Sequence, residues 1–256
     1  MGDGSTPRRP LVVIPTYNER DNLVPVVNEI GAQLPQAAIW IVDDNSPDGT
    51  GRIADTLAAV DDRIKVLHRP GKLGLGTAYI EAFDKALSED FDSVIQMDAD
   101  LSHDPKYLPQ LLEGLADADL VLGSRYIAGG GTENWSIARQ WISRVGNLTA
   151  RVGLGIKTRD ATGGFRAYRR STLEKLELHN LGLQGYAFQI ELIYQVEQQG
   201  LQIEEIPIIF VERASGTSKM SKAIVLEAIL HILKRRFEMV RNRRQRGGAL
   251  EEHQSR

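Results

Sequence analysis

The amino-acid sequence predicts an α/β fold: a mainly parallel, doubly wound sheet with helices on both faces. Short apolar runs alternate with helical patterns in the first half of the chain, and this alternation is typical of right-handed crossovers between parallel strands. Polar and acidic residues directly follow several of the runs, where sheets of this kind form their binding sites. A chain of 256 residues with 42% hydrophobic content suits one domain with a full core.

The predicted strands of the first half are short and almost wholly apolar. They cover residues 11–14, 39–42, 64–67, 93–97 and 120–123. The helices between them are predicted to begin near Glu19, Gly51, Leu75 and Pro105. Loops therefore join the end of each strand to the start of the next helix.

The second half has a different pattern. A predicted loop with three successive glycines covers residues 126–133, and a helix rich in arginine follows at 136–152. A helix is then predicted at 187–199, a strand at 203–211, and a long amphipathic helix from Ser221 into a basic tail. At the other end, residues 1–10 are polar and rich in glycine and proline, which predicts a disordered tail.

Composition excludes several classes of function. The formal net charge of −3 argues against a general nucleic-acid binder, so no nucleic acid is expected as a partner. The absence of cysteine excludes disulfides, a thiolate nucleophile and a cysteine-based zinc site. Neither a secretory signal peptide nor an uncharged apolar run of roughly 18 residues is found, so a cytoplasmic location without a spanning helix is expected.

Two carboxylates after the fourth apolar run are candidate metal ligands. Asp98 and Asp100 flank Ala99 at the predicted end of a buried strand, where two carboxylates without a counter-charge are costly to desolvate. Mg²⁺ or Mn²⁺ offsets that cost, because hard cations bind carboxylates together with substrate phosphates. An isolated Asp-x-Asp is more often a solvated turn, but the position at the end of a strand favours the metal.

Two loops are compatible with ligand binding or with simple turns. The run from Asp43 to Thr50 follows an apolar strand, where a carboxylate suits a nucleobase or ribose hydroxyls. Its turn-forming residues explain it equally well. The run from Lys72 to Tyr79 reads Gly-x-Gly-x-x-Tyr instead of Gly-x-Gly-x-x-Gly, so a loop leading into a closely packed helix is favoured over a dinucleotide site.

The second half supplies cations for anionic ligands. Arg213 and Lys219 bracket a small, flexible loop before a helix, and backbone N–H groups together with two cations suit a diphosphate. Most arginines in proteins are solvated or weakly paired. The other candidates are Arg125, Arg139, Arg144, Arg166, Arg169 and Arg170.

Six motifs within residues 11–222 resemble those of the dolichyl-phosphate and polyprenyl-phosphate mannosyltransferases, which are inverting glycosyltransferases with the Rossmann-like GT-A fold. All six occur in the family's order, so together they are far more specific than any one of them. The motifs are Ile14-Pro15-Thr16-Tyr17-Asn18-Glu19, Val42-Asp43-Asp44-Asn45-Ser46-Pro47-Asp48-Gly49-Thr50, Met97-Asp98-Ala99-Asp100-Leu101-Ser102-His103, Gly123-Ser124-Arg125-Tyr126, Asp160-Ala161-Thr162-Gly163-Gly164-Phe165-Arg166 and Arg213-Ala214-Ser215-Gly216-Thr217-Ser218-Lys219.

The resemblance implies a GT-A domain over residues 11–222 that transfers mannose from GDP-mannose to dolichyl or polyprenyl phosphate with inversion. It implies Mg²⁺ or Mn²⁺ on Asp98 and Asp100, and a donor diphosphate gripped by Arg213 and Lys219. The implied donor site comprises Pro15, Tyr17, Glu19, Val42, Asp44, Asp98, Ala99, Asp100, Arg213 and Lys219, the first five on the nucleoside. The implied acceptor site comprises Arg125, Arg139, Arg144, Thr162 and Gly163, of which Arg125 and Arg139 face the acceptor phosphate.

Two departures from the family pattern leave points open. Ser102 stands where some relatives have glutamine, so a third protein ligand to the metal is not fixed. Gly163 stands where serine is commoner, which removes a hydroxyl from the acceptor loop. A UDP-glucose-dependent transferase is the nearest alternative, and a nucleotide-binding module without catalysis is the alternative of another class. The paired carboxylates and two groups of cations disfavour the second.

The C-terminal segment over residues 223–256 predicts contact with an anionic membrane surface. An apolar stripe runs beside a basic tail, an arrangement typical of helices that lie on membranes. The stripe comprises Ala223, Ile224, Leu226, Ile229, Leu230, Leu233 and Phe237. Packing of this stripe on the protein's own core is an equal alternative. The family resemblance places the enzyme peripherally on the cytoplasmic face and leaves open a separate membrane-anchoring protein.

Overall fold

The structure is a computed structural model that describes residues 6–178, 181, 183–212, 226–239 and 241. The described strands are β1 (Pro10–Thr16), β2 (Ala38–Asp43), β3 (Ile64–His68), β4 (Ser93–Gln96), β5 (Leu120–Ser124), β6 (Gly131–Glu133), β7 (Arg166–Arg169), β8 (Ile203–Pro207) and β9 (Ile209–Val211). The helices are α1 (Arg20–Gln33), α2 (Thr50–Ala58), α3 (Leu75–Leu87), α4 (Leu108–Gly114, after a 3₁₀ turn at Pro105–Tyr107), α5 (Ile137–Leu154), α6 (Arg170–Leu173), α7 (Gly185–Gln198) and α8 (226–239).

Seven strands form the central sheet, in the order β3-β2-β1-β4-β7-β5-β8. Strands β1 to β4 are parallel, as the alternating pattern predicts. Helices cover both faces of the sheet, and alternate residues of β1 point into the two cores between sheet and helices. Leu11 and Val13 pack with α3 and α7, whereas Val12 and Ile14 pack with α1 and α4. Burial on both faces explains why the run is continuously apolar.

The sequence does not predict β7, which lies antiparallel between β4 and β5 in the middle of the sheet. Two of its four residues are arginines. Arg166 is fully buried, and its guanidinium donates hydrogen bonds of 2.9 Å to the carbonyls of Gln189 and Ala161. These carbonyl partners make a charged residue stable inside the sheet.

The predicted single strand at 203–211 is wrong, because it divides at Ile208 into β8 and β9. Strand β8 extends the main sheet beside β5, whereas β9 pairs with β6 in a separate two-stranded sheet. Ile208 links the two sheets, because its N–H donates to the carbonyl of Ser124 at 3.1 Å and its carbonyl accepts the N–H of Gly131 at 2.9 Å. The chain thus changes sheets next to the candidate site.

The side of helix α8 that packs on the rest of the protein is not the predicted apolar stripe. Ala228 and Ile232 are buried in the main core, and Gly153 of α5 leaves room for Ile232, whose Cγ2 would lie 2.4 Å from a Cβ there. The described members of the predicted apolar stripe are instead 42–69% exposed: Leu226, Ile229, Leu230, Leu233 and Phe237. The alternative prediction, that these five side chains pack on the protein's own core, is therefore wrong.

Polar contacts of Glu191 on α7 with two side chains of α8 hold that helix in place. Its carboxylate is fully buried, lies 2.7 Å from Nε2 of His231 and accepts two hydrogen bonds from Arg235. None of the helices in the described ranges combines the length and the apolar character needed to cross a membrane.

Candidate functional site

A cavity of about 700 Å³ opens at the carboxyl ends of β1, β2 and β4 and is called the cleft below. Most predicted site residues line it: Pro15, Tyr17, Glu19, Asp44, Asp98, Ala99, Asp100, Arg125, Arg139, Thr162 and Gly163. The Val42 side chain is fully buried in the core instead, and Ser102 lies buried behind Asp100. Arg144 lines a different cavity. Arg213 and Lys219 lie outside the described residues.

The acidic turn after β2 mainly organises its own loop. Asp43 accepts hydrogen bonds from Oγ1 of Thr16 at 3.0 Å and from Oγ of Ser46 at 2.6 Å. Asp48 accepts from the N–H and hydroxyl of Thr50 and from the N–H of Arg20. Burial alone raises the pKa of Asp48, but these hydrogen bonds lower it by more. Both carboxylates therefore serve the turn rather than a ligand.

Asp44 lines the cleft and ties two loops together. It accepts hydrogen bonds of 3.1 Å from the N–H groups of Leu73 and Gly74, and it forms an ion pair with Arg69, whose side chain is 2% exposed. Gly74 has φ +99°, a conformation that favours glycine. The Gly-x-Gly run is thus a loop leading into α3, as predicted, whereas the role of Arg69 was not predicted.

The two candidate metal ligands, Asp98 and Asp100, both line the cleft. Asp100 is buried and accepts hydrogen bonds from the N–H and the hydroxyl of Ser102, whereas the Asp98 side chain is 36% exposed. His103, which the sequence analysis did not single out, accepts the N–H of Asp98 at Nδ1, 3.0 Å away. Burial lowers the pKa of His103, and the carboxylates of Asp98 and Asp100 offset this only in part.

These carboxylates fit a divalent cation that is completed by substrate. Among the described residues, no group of three or more His, Cys, Asp or Glu side chains is placed to hold a metal. Two carboxylates are nevertheless the usual protein contribution to a Mg²⁺ site that is finished by phosphate oxygens and water. Asp98 and Asp100 would hold the ion, and Ser102 fixes one oxygen of Asp100.

Arg125 forms a buried pair with Asp160 beside the cleft. Its Nε and Nη2 donate hydrogen bonds of 2.7 and 2.6 Å to the two carboxylate oxygens. Burial alone lowers the pKa of Arg125, but Asp160 raises it well above its ordinary value. Burial likewise raises the pKa of Asp160, and Arg125 lowers it by more. The pair therefore stays ionised and neutral overall.

The loop from Asp160 to Gly164 is held by the same arginine. Thr162 accepts from Nη2 of Arg125 at 3.0 Å and exchanges two hydrogen bonds with the side-chain amide of Asn147 on α5. At Gly163, an added Cβ would meet its nearest atoms at 3.4 Å, which is ordinary contact. Packing therefore leaves room for the serine that is commoner at this position.

Arg139 lies against an aromatic wall that sequence reasoning missed. Its guanidinium is 4.0 Å from the centre of the Trp135 ring and donates to Glu212 at 2.5 Å. Among the described residues, Nε1 of Trp135 and Oε1 of Gln189 are buried in the cleft wall without a hydrogen-bond partner. A polar ligand can satisfy both. No pattern in the sequence marks either residue, because long-range packing places them there.

Comparison with known proteins places these features in context. Residues 11–177 match glycosyl transferase family 2. The chain is 46% identical over 227 residues to the polyprenol monophosphomannose synthase of Mycolicibacterium smegmatis, covering 88% of this chain and 86% of that one. It is 46% identical over 224 residues to the undecaprenyl-phosphate mannosyltransferase of Micrococcus luteus, covering 88% and 92% of the two chains.

Solved structures show a similar fold. The structure of glucosyl-3-phosphoglycerate synthase from Mycobacterium tuberculosis with uridine-diphosphate superposes with a TM-score of 0.62 at 21% identity, covering 90% of this chain and 80% of that chain. A second structure of that enzyme, with Mn²⁺, UDP-glucose and phosphoglyceric acid, gives 0.63 at 20% identity over the same shares. The superposition, rather than the low sequence identity, supports a common GT-A architecture.

Proposed function

The chain belongs to glycosyl transferase family 2, and we propose that this glycosyltransferase transfers mannose from GDP-mannose to a polyprenyl or dolichyl phosphate with inversion. The observation that carries the proposal is the cleft, in which Asp98 and Asp100 lie in the same cavity as Arg125 and Arg139. Such a site suits a donor diphosphate on one side and an acceptor phosphate on the other. The names of the two bacterial relatives support mannose and the lipid acceptor.

The donor is assigned to the edge formed by β1, β2 and β4. Glu19 and Asp44 line the cleft there, and Nζ of Lys72 lies 4.2 Å from the centre of the Tyr17 ring. Acidic acceptors beside an aromatic ring suit the base and ribose hydroxyls of a nucleoside. When bound, Mg²⁺ or Mn²⁺ stabilises the charge that develops on the departing diphosphate. Arg213 and Lys219 are proposed for the same diphosphate from the sequence motif alone.

The acceptor needs no general base in the cleft. The second pKa of a phosphate monoester is near 6, so its oxygen is already mostly ionised at pH 7. That oxygen attacks the anomeric carbon while the bond to the GDP oxygen breaks, which inverts an α-linked donor into a β-linked product. Arg139 and Arg125 donate hydrogen bonds to the incoming phosphate, because their pairs with Glu212 and Asp160 do not use all of the guanidinium N–H groups. Asp160 holds Arg125 in place for this task.

A lipid acceptor requires contact with a membrane, and two helices offer a surface for it. Helix α5 exposes Trp141, Val145, Leu148 and Val152, each at 53–69%. Beside it, α8 exposes the five side chains of its apolar stripe. Apolar area of this extent is unusual on a soluble surface and suits peripheral binding to a bilayer. A separate anchoring protein is a further proposal from the resemblance.

A transfer assay tests the proposal. The protein is incubated with Mg²⁺, a polyprenyl phosphate and radiolabelled GDP-mannose, UDP-glucose or UDP-galactose in turn, and the lipid phase is counted. We expect label in the lipid from GDP-mannose, and none when the lipid phosphate is omitted. Transfer from UDP-glucose in preference would overturn the donor assignment, and binding of nucleotide without transfer from any donor would favour a non-catalytic module.

A further inference from the structure

A second cavity, of about 380 Å³, lies between α5 and the chain that follows β5. Besides Arg125, three arginines line it: Arg144 and Arg151 project from α5 seven residues apart, and Arg159 comes from the loop after the helix. Leu148 lies between the first two on the same helical face. This cavity is called the arginine pocket below. Arg125 lines both it and the cleft, so the two cavities share a wall.

The three arginines differ from those of the cleft in having no acidic partner. Arg125 is paired with Asp160 and Arg139 with Glu212. For Arg144, Arg151 and Arg159, the described part of the chain supplies neither a salt bridge nor a side-chain hydrogen bond, and no acidic side chain lines the pocket. Nε of Arg151 is buried without a partner. Three converging like charges favour an anion, and the guanidinium fork matches phosphate oxygens.

The surroundings of the pocket favour an anion that carries a hydrocarbon chain. Leu148 lines the pocket and is 56% exposed, and Val145 and Val152 on either side of it are 53% and 69% exposed. A soluble phosphate makes no use of such a rim. A phospholipid does, because its phosphate reaches the arginines while its acyl chains cover the apolar side chains of α5.

We propose that the arginine pocket binds the phosphate group of a membrane lipid and thereby seats the enzyme on the bilayer beside its cleft. The inference deepens the proposed function and rests on it in one respect, namely that a lipid acceptor is met at a membrane. The lipid phosphate has two possible sources, an anionic phospholipid of the bulk bilayer or the polyprenyl phosphate itself. Both present the same chemistry to the pocket.

Vesicle sedimentation of the full chain tests the proposal without catalysis. The probes are vesicles of phosphatidylcholine alone, of phosphatidylcholine with phosphatidylglycerol, and of phosphatidylcholine with polyprenyl phosphate. The double variant Arg151→Gln, Arg159→Gln should bind one or both phosphate-bearing mixtures about tenfold more weakly than wild type. Loss with phosphatidylglycerol assigns the site to bulk lipid, and loss confined to polyprenyl phosphate assigns it to the acceptor.

A matched control separates the pocket from net charge. The double variant Arg20→Gln, Arg52→Gln removes the same charge from exposed positions on α1 and α2, and its vesicle binding should remain within about twofold of wild type. Equal losses in the two double variants, or a change below about twofold for the pocket variant with both lipids, would overturn the proposal. If the pocket variant fails to fold, Arg159→Glu alone carries the test, because this side chain is exposed.

A second assay tests the proposed function independently of the lipid site. Transfer from GDP-mannose to a short-chain polyprenyl phosphate in detergent reports the cleft without a bilayer. Wild-type protein that binds vesicles through the pocket but transfers no mannose would overturn the proposed function and leave the lipid site standing. Protein that transfers mannose in detergent, with pocket variants that bind vesicles as wild type does, would overturn the lipid site alone.

Discussion

The proposed donor edge of the cleft and the outer face of α5 differ in whether their charged side chains have partners within the protein. At the donor edge, Asp43, Asp44 and Asp48 each accept several hydrogen bonds from the protein itself. On α5, Arg144 and Arg151 face a cavity without an acid, and apolar side chains beside them are exposed. The carboxylates of the turn after β2 therefore have their partners within the fold, whereas the arginines of α5 that line the cavity have no acidic partner among the described residues.

Burial explains the difference. A buried carboxylate without partners costs several kcal/mol, so a preformed nucleotide site must satisfy its charges within the fold. Arg144 is exposed, so it keeps its hydration and carries no such penalty. Charge that is already solvated remains available for a surface that approaches later. Substitutions at the two regions should consequently have different effects on stability and on binding.

The largest effect is expected at the donor edge from Asp100→Ala. Because Asp100 is one of two carboxylates proposed to hold the metal, its loss should lower kcat/KM by about 1,000-fold, equivalent to about 4 kcal/mol, while vesicle binding is unchanged. Asp98→Asn should be severe but less complete. Transfer assays with Mg²⁺ and with Mn²⁺ measure both. Asp104→Asn, on the same loop outside the cleft, is the control, and retention of a tenth of wild-type kcat/KM by Asp100→Ala would refute the metal site.

The second prediction compares the two regions directly. Arg69→Leu leaves the buried Asp44 without its cation and should lower the free energy of unfolding by about 3 kcal/mol. Arg144→Leu removes an arginine that has no acidic partner, so unfolding should change by less than about 0.5 kcal/mol. Urea titration of the two variants measures the difference. Similar losses of stability in both would break the comparison.

The third prediction concerns the attachment of α8. Burial alone raises the pKa of Glu191, but hydrogen bonds from His231 and Arg235 lower it by more. A lowered pKa in the folded state means that the contribution to stability is present at neutral pH and is lost as pH falls below about 4. Glu191→Gln should therefore cost about 2 kcal/mol at pH 7. Urea titrations from pH 7 to pH 3.5 should show the two proteins converging, and a constant gap would contradict the assignment.

The smallest effects are expected when one cation is removed from either of the two proposed phosphate sites. Arg139→Ala should raise KM for the lipid phosphate about tenfold, or about 1.4 kcal/mol, with little change in KM for the donor. Lys219→Ala, outside the described residues, should do the reverse if its motif grips the diphosphate. Each substrate is titrated separately with the other held saturating. Identical defects toward both substrates would argue against two phosphate sites.

Much of the fold was predictable because β1, β2 and β4 are buried on both faces. Such strands read as continuous apolar runs, and the acidic residues after them mark the edge of the sheet where the cleft lies. β7 escaped prediction because a charged residue such as Arg166 normally indicates an exposed position, whereas here the carbonyls of Ala161 and of Gln189, 23 residues away, accept its hydrogen bonds inside the fold. The pair of Asp44 with Arg69 was missed because 25 residues separate its members and only the folded chain brings them together. Arg139 and Trp135 are near in the sequence, but Trp135 precedes the start of α5, so helical spacing does not predict their contact.

The central position of β7 also bears on the order in which the protein can fold during synthesis. Strand β5 ends at Ser124, but the neighbour that joins it to β4 begins only at Arg166. At about 5–20 residues per second, the ribosome completes β5 a few seconds before β7 is made. We expect a nascent chain arrested after residue 160 to protect β1 to β4 from protease while β5 remains cleavable. Extension past residue 169 should then protect both halves in one step, which makes this short strand the point at which translation commits the two halves to one sheet.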